Sequence, residues 1–163
     1  MSDVDASVQK NVCYTLEVAL EKSIKMEEVA FRNFLRAIDL VKDRQAKAIL
    51  RDAAREELLH KHKLENVLLD GHDKNAHELK KELPTMNLSY VFEQKTITAD
   101  ADARESLAYA IHLEKSEMEF YRALVRGCEG APMTELFQSL LADETRHLQI
   151  LEDFYERYFL TEN

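Results

Sequence analysis

Two short segments constrain this chain more than anything else in it: Glu57-Leu58-Leu59-His60 and, 87 residues later, Glu144-Thr145-Arg146-His147. Residues three apart on an α-helix are surface neighbours about 5–6 Å apart, so each segment aims one carboxylate and one imidazole at the same point. A lone Glu-x-x-His arises easily by chance in an acidic chain; a shared register does not. Thirty residues before each of those glutamates stands another, Glu27 and Glu114, and these are also 87 apart. The same offset pairs Leu20 with Leu107, Ile24 with Ile111 and Leu64 with Leu151. The chain reads as a duplicated helical hairpin, each copy giving one lone Glu and one Glu-x-x-His.

Apolar periodicity places these residues on core-facing stripes. After a polar start over Met1 to Ala6, a first helix is predicted from about Ser7 to Val41, with Leu16, Leu20, Ile24, Phe31, Phe34, Ile38 and Val41 at helical spacing and Glu27 filling the one gap. A buried carboxylate costs several kcal/mol unless paired or metal-bound, so Glu27 faces a cation or a wet seam. Lys42-Asp43-Arg44 forms the turn and holds the midpoint of Glu27 and Glu57, which puts both at one height in an antiparallel hairpin. The second helix is predicted from about Gln45 to Leu69, with Glu57 and His60 in the stripe of Leu50, Ala53, Leu64 and Val67, and a stop at Asp70-Gly71-His72.

Repeat one thus covers about 7–70, a linker about 71–103, and repeat two about 104–160. In the linker Pro84 breaks any helix and Tyr90-Val91-Phe92 is a candidate apolar crossover. Its length fits an end-to-end crossover or an exchange of hairpins between two subunits. The third helix starts after Thr98 or Asp100 and runs to about Arg126, its stripe being Leu107, Ile111, Glu114, Glu117 or Met118, Tyr121 and Val125. The turn Gly127 to Pro132 contains the midpoint of Glu114 and Glu144. The fourth helix carries Met133, Phe137, Leu140, Glu144, His147, Leu151, Phe154 and Tyr158.

Four polar core positions at one height make a cage of Glu27, Glu57, His60, Glu114, Glu144 and His147. Four carboxylates balance two divalent cations, and carboxylate-rich ligation with one imidazole per metal suits iron or manganese, whereas the lack of thiolates disfavours structural zinc. A metal-free polar layer is the rival. His62, His72, His77 and His112 lie off the stripe or in the linker and are expected to face solvent. The 163 residues suit one domain, and 3 Gly and 2 Pro suit a helical one. A net charge of −9 argues against nucleic acid or an anionic membrane surface as partner. No signal peptide or apolar run of spanning length is apparent. Cys13 and Cys128 stand far apart without Cys-x-x-Cys, which leads us to expect reduced thiols in a cytoplasmic protein.

These residues resemble the rubrerythrin-like branch of the ferritin-like superfamily. Glu27, Ala30 and Phe34 are similar to that family's Glu-x-x-Ala-x-x-x-Tyr, with Phe34 in place of tyrosine, and Glu114-Lys115-Ser116-Glu117 is similar to its paired glutamates. Asp143-Glu144-Thr145-Arg146-His147 resembles the Asp/Glu-Glu-x-Arg-His signature of di-iron carboxylate enzymes. The resemblance implies an all-α, ferritin-like antiparallel four-helix bundle of two duplicated hairpins joined by a long crossover. It implies two iron ions, with di-manganese or mixed metal as alternatives, and makes Glu117 a seventh metal ligand that exchanges with His60 as the metals change oxidation state. Asp143 is then expected to orient His60, and its repeat equivalent Glu56 to orient His147. The implied activity is reduction of hydrogen peroxide, or less readily dioxygen. The family's rubredoxin-like site is absent from this sequence, so electrons are expected from a separate rubredoxin-like or similar donor. A homodimer, with or without swapped hairpins, is expected. The alternatives are a ferroxidase or iron-handling protein, a di-manganese catalase, and a non-enzymatic helical interaction module.

Overall fold

The computed structural model describes residues 14–74, 76–83, 98–127 and 134–160. In chain order the helices are α1 (Leu16–Leu40), α2 (Arg44–Lys74), the single turn α3 (Ala76–Leu79), α4 (Ala103–Gly127) and α5 (Thr134–Tyr155), which ends in a π-helical turn, Glu156–Leu160. Two-residue strands β1 (Tyr14–Thr15) and β2 (Glu82–Leu83) pair antiparallel.

Local chemistry sets the helix starts. The Thr15 side chain accepts a hydrogen bond from Val18 N at 3.2 Å and caps α1, so that helix begins at Leu16 and not near Ser7. Residues 7–13, for which helix was also expected, lie outside the described part. Asp43 Oδ1 accepts from Ala46 N at 2.8 Å at the head of α2. At the head of α4, Asp102 Oδ1 accepts from Glu105 N at 2.8 Å while Glu105 Oε2 accepts from Asp102 N at 3.3 Å. Such reciprocal caps satisfy amides that no helical carbonyl reaches, each stabilising by about 1 kcal/mol.

α1 packs on α2, α4 on α5, and α1 on α4. Tyr121 of α4 meets Glu27 of α1, whereas Arg36, later in α1, reaches the carbonyl of Thr98, before α4. α1 and α4 are therefore antiparallel. Likewise Arg146 of α5 meets Glu56, and Tyr158 meets Gln45, nearer the start of α2. The bundle is all-α and ferritin-like, with antiparallel neighbours, and its four long helices close on one another within one chain. No helix among the described residues is long and apolar enough to cross a membrane.

The expected stop at Gly71 is a misreading. α2 runs through it to Lys74 and, with α3, takes up the first part of the expected linker. Gly71 is buried because Leu79 of α3 folds back over it: a Cβ there would lie 2.8 Å from Leu79 Cδ2. The glycine makes room for a neighbour and does not end the helix. Met1 to Ala6, Pro84, Tyr90-Val91-Phe92, the turn at 128–132 and Met133 lie outside the described residues.

Leu79 is 1% exposed and belongs to the apolar cluster of Leu16, Leu20 and Leu64. Leu79→Ala should therefore lower stability by about 2–4 kcal/mol in urea unfolding. In that background Gly71→Ala should raise it by about 0.5–1 kcal/mol, since the clash is gone and the helix propensity remains.

Candidate metal centre

The four long helices each deliver polar side chains to one layer between two apolar clusters. On one side pack Leu20, Leu64, Phe120, Tyr121, Phe137 and Leu140; on the other, Phe34, Ala46, Leu50, Ala54, Leu107 and Phe154. Glu27, Glu57, Glu114 and Glu144 have 0% exposure, Glu117 2%, His147 3% and His60 6%. All seven residues singled out from the sequence lie in this layer.

Within it two quartets are compact enough for one ion each: Glu27, Glu57, His60 and Glu144, and Glu57, Glu114, Glu144 and His147, with donor atoms inside 4.8 Å. Glu57 and Glu144 belong to both, which is the placement of bridging carboxylates. Glu27 with His60, and Glu114 with His147, complete the two ends. Glu117 is buried beside Glu144, Glu114 and Glu27 but stands outside both quartets. It takes no surface partner from its own helix, because Arg122 pairs with Glu119 and Lys115 with Glu152.

The imidazoles are oriented from outside. His60 Nε2 donates to Asp143 Oδ2 at 3.1 Å, and His147 Nε2 donates to Glu56 Oε2. Arg146 ties these outer acids together, bonding Glu56 at 2.6 Å and lying 3.9 Å from Asp143. With the ring proton on Nε2, each Nδ1 turns a lone pair inward. His60 Nδ1 lies 3.0 Å from Glu144 Oε1 and 3.4 Å from Glu27 Oε2, and His147 Nδ1 lies 3.2 Å from Glu57 Oε1. Acceptors that face each other so closely repel unless a cation lies among them. In that tautomer, with no further proton among them, both carboxylate oxygens of Glu57, Glu114 and Glu144, together with both Nδ1 atoms, are left without a hydrogen-bond partner. The donor set, its burial and these inward lone pairs fit a pair of divalent cations.

Without metal, protons must do that work. Burial, reinforced by the Glu144 charge, pushes the carboxyls of Glu57, Glu114 and Glu117 well above the usual range. Burial alone would make His60 less basic, but Glu144 and Glu27 overcome it and push its imidazole up to about 10. His147 is raised in the same way by Glu144 and Glu56. Glu144 is the exception: against burial, bonds from Glu114 and both histidines hold it low.

Tyr121, placed by the sequence in the core-facing stripe of the third helix, packs in the core and also bonds a site residue. Its hydroxyl donates to Glu27 Oε1 at 2.5 Å, while its ring packs among Phe120 and Phe137. A signal was present: Tyr121 stands 87 residues after Phe34, in the repeat register. The tie made by Arg146 had no signal in spacing alone. Of the other histidines, His72 pairs with Glu17 at 2.7 Å and His77 with Glu78 at 3.3 Å, and all four lie at exposed positions.

Fold and site together define a helical-bundle protein with a carboxylate–histidine centre. The family model described as Rubrerythrin matches residues 105–163, which span most of α4 and all of α5. A crystal structure from Thermotoga maritima, described provisionally as a ferritin-like diiron-carboxylate protein, is similar over 88% of this chain and 96% of that one, with 18% identity and a TM-score of 0.68. At that identity the likeness establishes the fold. No curated protein matches the sequence. The fold is ferritin-like, and its second hairpin, residues 105–163, is similar to the rubrerythrin family.

Two outcomes follow for the centre itself. Removing the outer acceptors, in Asp143→Asn and Glu56→Gln, should weaken metal binding by about 10–100-fold in a competition titration. In the metal-free chain the groups raised on folding stabilise while protonated. Stability from His60 is complete below pH 6.5 and lost as pH rises through about 10, and the raised carboxyls act in the same sense above the ordinary glutamate value of 4.5. Glu144 acts in the opposite sense only below 4.5. The melting temperature without metal should therefore fall as pH rises from about 6.5 to about 10, and saturating divalent metal should remove most of that fall.

Proposed function

We propose that this chain is a non-haem di-iron carboxylate protein that reduces hydrogen peroxide in the cytoplasm, with electrons supplied by a separate protein. Glu27 and His60 would hold one metal ion, Glu114 and His147 the other, with Glu57 and Glu144 between them. Iron held there would supply the electrons that divide the O–O bond of the oxidant. The balance is one peroxide, two protons and two electrons to two waters.

The observation that carries the reading is Glu117. It is a fifth carboxylate, buried in the layer beyond the four that two divalent ions need. As an anion it suits the more highly charged, oxidised pair, and the neutral imidazole of His60 suits the reduced one. A centre with a spare anionic donor is built to be oxidised and restored in place. The rest of the chain orients and excludes water. Asp143 and Glu56 hold the imidazoles in the tautomer that faces inward, Tyr121 keeps its proton on Glu27, and the two apolar clusters seal the layer above and below.

The test is anaerobic loading with Fe²⁺ followed by mixing with peroxide or with air-saturated buffer. Peroxide should oxidise the protein faster than dioxygen, and Glu117→Gln should slow the peroxide reaction by about 10–100-fold while two ions per chain still bind. Equal or reversed rates with the two oxidants would sink the peroxidase reading. Oxidation of many Fe²⁺ per site with release of ferric iron would point to iron handling instead.

A further inference from the structure

The carboxylates of the centre are closed to solvent, so an ion taken up after folding has to cross the wall of the bundle. We propose that divalent metal ions enter through the cleft between α2 and α5, a reading that rests on the metal centre proposed above. This cleft has a volume of about 280 Å³ and is lined by Ile49, Ala53, Glu56, Arg146, His147 and Ile150, among others. It reaches the centre directly, since His147 is both its floor and a member of one quartet. Two other clefts, one beside Val41 and Phe154 and one beside Ile111 and Tyr155, touch none of the seven residues.

Three features favour this wall. α2 and α5 are in looser contact than the other neighbouring helices of the bundle. Ala53 interrupts a stripe that carries Leu50 before it and Leu64 after it, and the missing bulk opens the floor beside His147. The rim offers the carboxylates of Asp52 and Glu56, each partnered by a guanidinium, Arg55 at 3.5 Å and Arg146 at 2.6 Å. Hard cations that give up water need oxygen donors along the way, and exchange against a guanidinium supplies them without a trap of unpaired negative charge. The net charge of −9 favours the approach of cations in general.

The route is tested on the full-length, metal-free protein with Co²⁺ as the probe, its uptake followed by visible absorbance after rapid mixing. Ala53→Phe and, separately, Ile150→Trp should slow uptake by at least about tenfold, roughly 1.4 kcal/mol on the barrier, with the same final spectrum and two ions per chain. Ala108→Phe, at an exposed position that lines the cleft beside Ile111 and Tyr155, should load at the unaltered rate. Ile150 is 42% exposed, so its substitution keeps the test valid if Ala53→Phe does not fold by circular dichroism. Unchanged rates in the folded cleft variants, or equal slowing in Ala108→Phe, overturn the route. Failure of the unaltered chain to take up Co²⁺ overturns the metal-centre reading and the route with it.

Discussion

Five carboxyl groups and two imidazoles share one dry layer, and the bundle stands only if that layer is electrically quiet. Carboxylates taken out of water are tolerated when a cation or a proton accompanies them. The structure shows how demanding this is. Glu57 and Glu114 are held well toward the neutral acid, while Glu144 is held low against burial by Glu114 and both histidines. Among the described residues, the buried members of the apolar clusters on either side offer the layer hydrocarbon and the hydroxyl of Tyr121. Protons meet that demand in the metal-free chain, and the same donors fit divalent ions.

The layer also explains why the four helices are not packed alike. Around α1, α2 and α4 the small residues Ala30, Ala37, Ala46, Ala54 and Ala110 are buried in one cluster. Close approach on that side brings Glu27, Glu57 and Glu114 inward with no route to water. On the side where α2 faces α5, the imidazoles stand between the helices, stacked with centroids 5.6 Å apart, and their outer nitrogens need acceptors. Glu56, Asp143 and Arg146 supply and join those acceptors at the surface. The helices are held apart there by rings and hydrogen bonds, whereas alanine packing draws them together elsewhere. The cleft is a consequence of that spacing.

Most of the centre was legible before any coordinates because it lies entirely on helices, where spacing converts to direction at a fixed rate. The register put Glu27, Glu57, Glu114 and Glu144 at one height, and the break between Leu40 and Arg44 falls where that register needs the turn of the first hairpin. What escaped depends on contacts between elements with no common period. Gly71 has the composition of a helix end, and only the fold-back of Leu79 shows that its missing side chain is a space left for a neighbour. The pairing of β1 with β2, two residues each, is too short to leave a pattern. Arg146 points outward on the ligand helix like any solvated cation, and its role appears only once Glu56 and Asp143 are seen on either side of it.

The duplication that made the site readable is also where it stops being symmetric. Positions 30 and 34 of the first copy are Ala and Phe; their counterparts 87 residues on are Glu117 and Tyr121. At both positions the second copy is the more polar, and both of its polar groups are buried. Tyr121 does not serve its own copy, since it reaches across to Glu27 of the first. A strictly repeated hairpin would have placed two equal metal positions around a two-fold axis, each with one terminal carboxylate and one imidazole. Here the layer gains an extra anion from α4 alone and a hydroxyl that restrains the carboxylate of α1, so the two ends differ in charge and in freedom to move. That inequality needs no difference in the six repeated donors. It comes from two positions at which the copies differ, Ala30 against Glu117 and Phe34 against Tyr121.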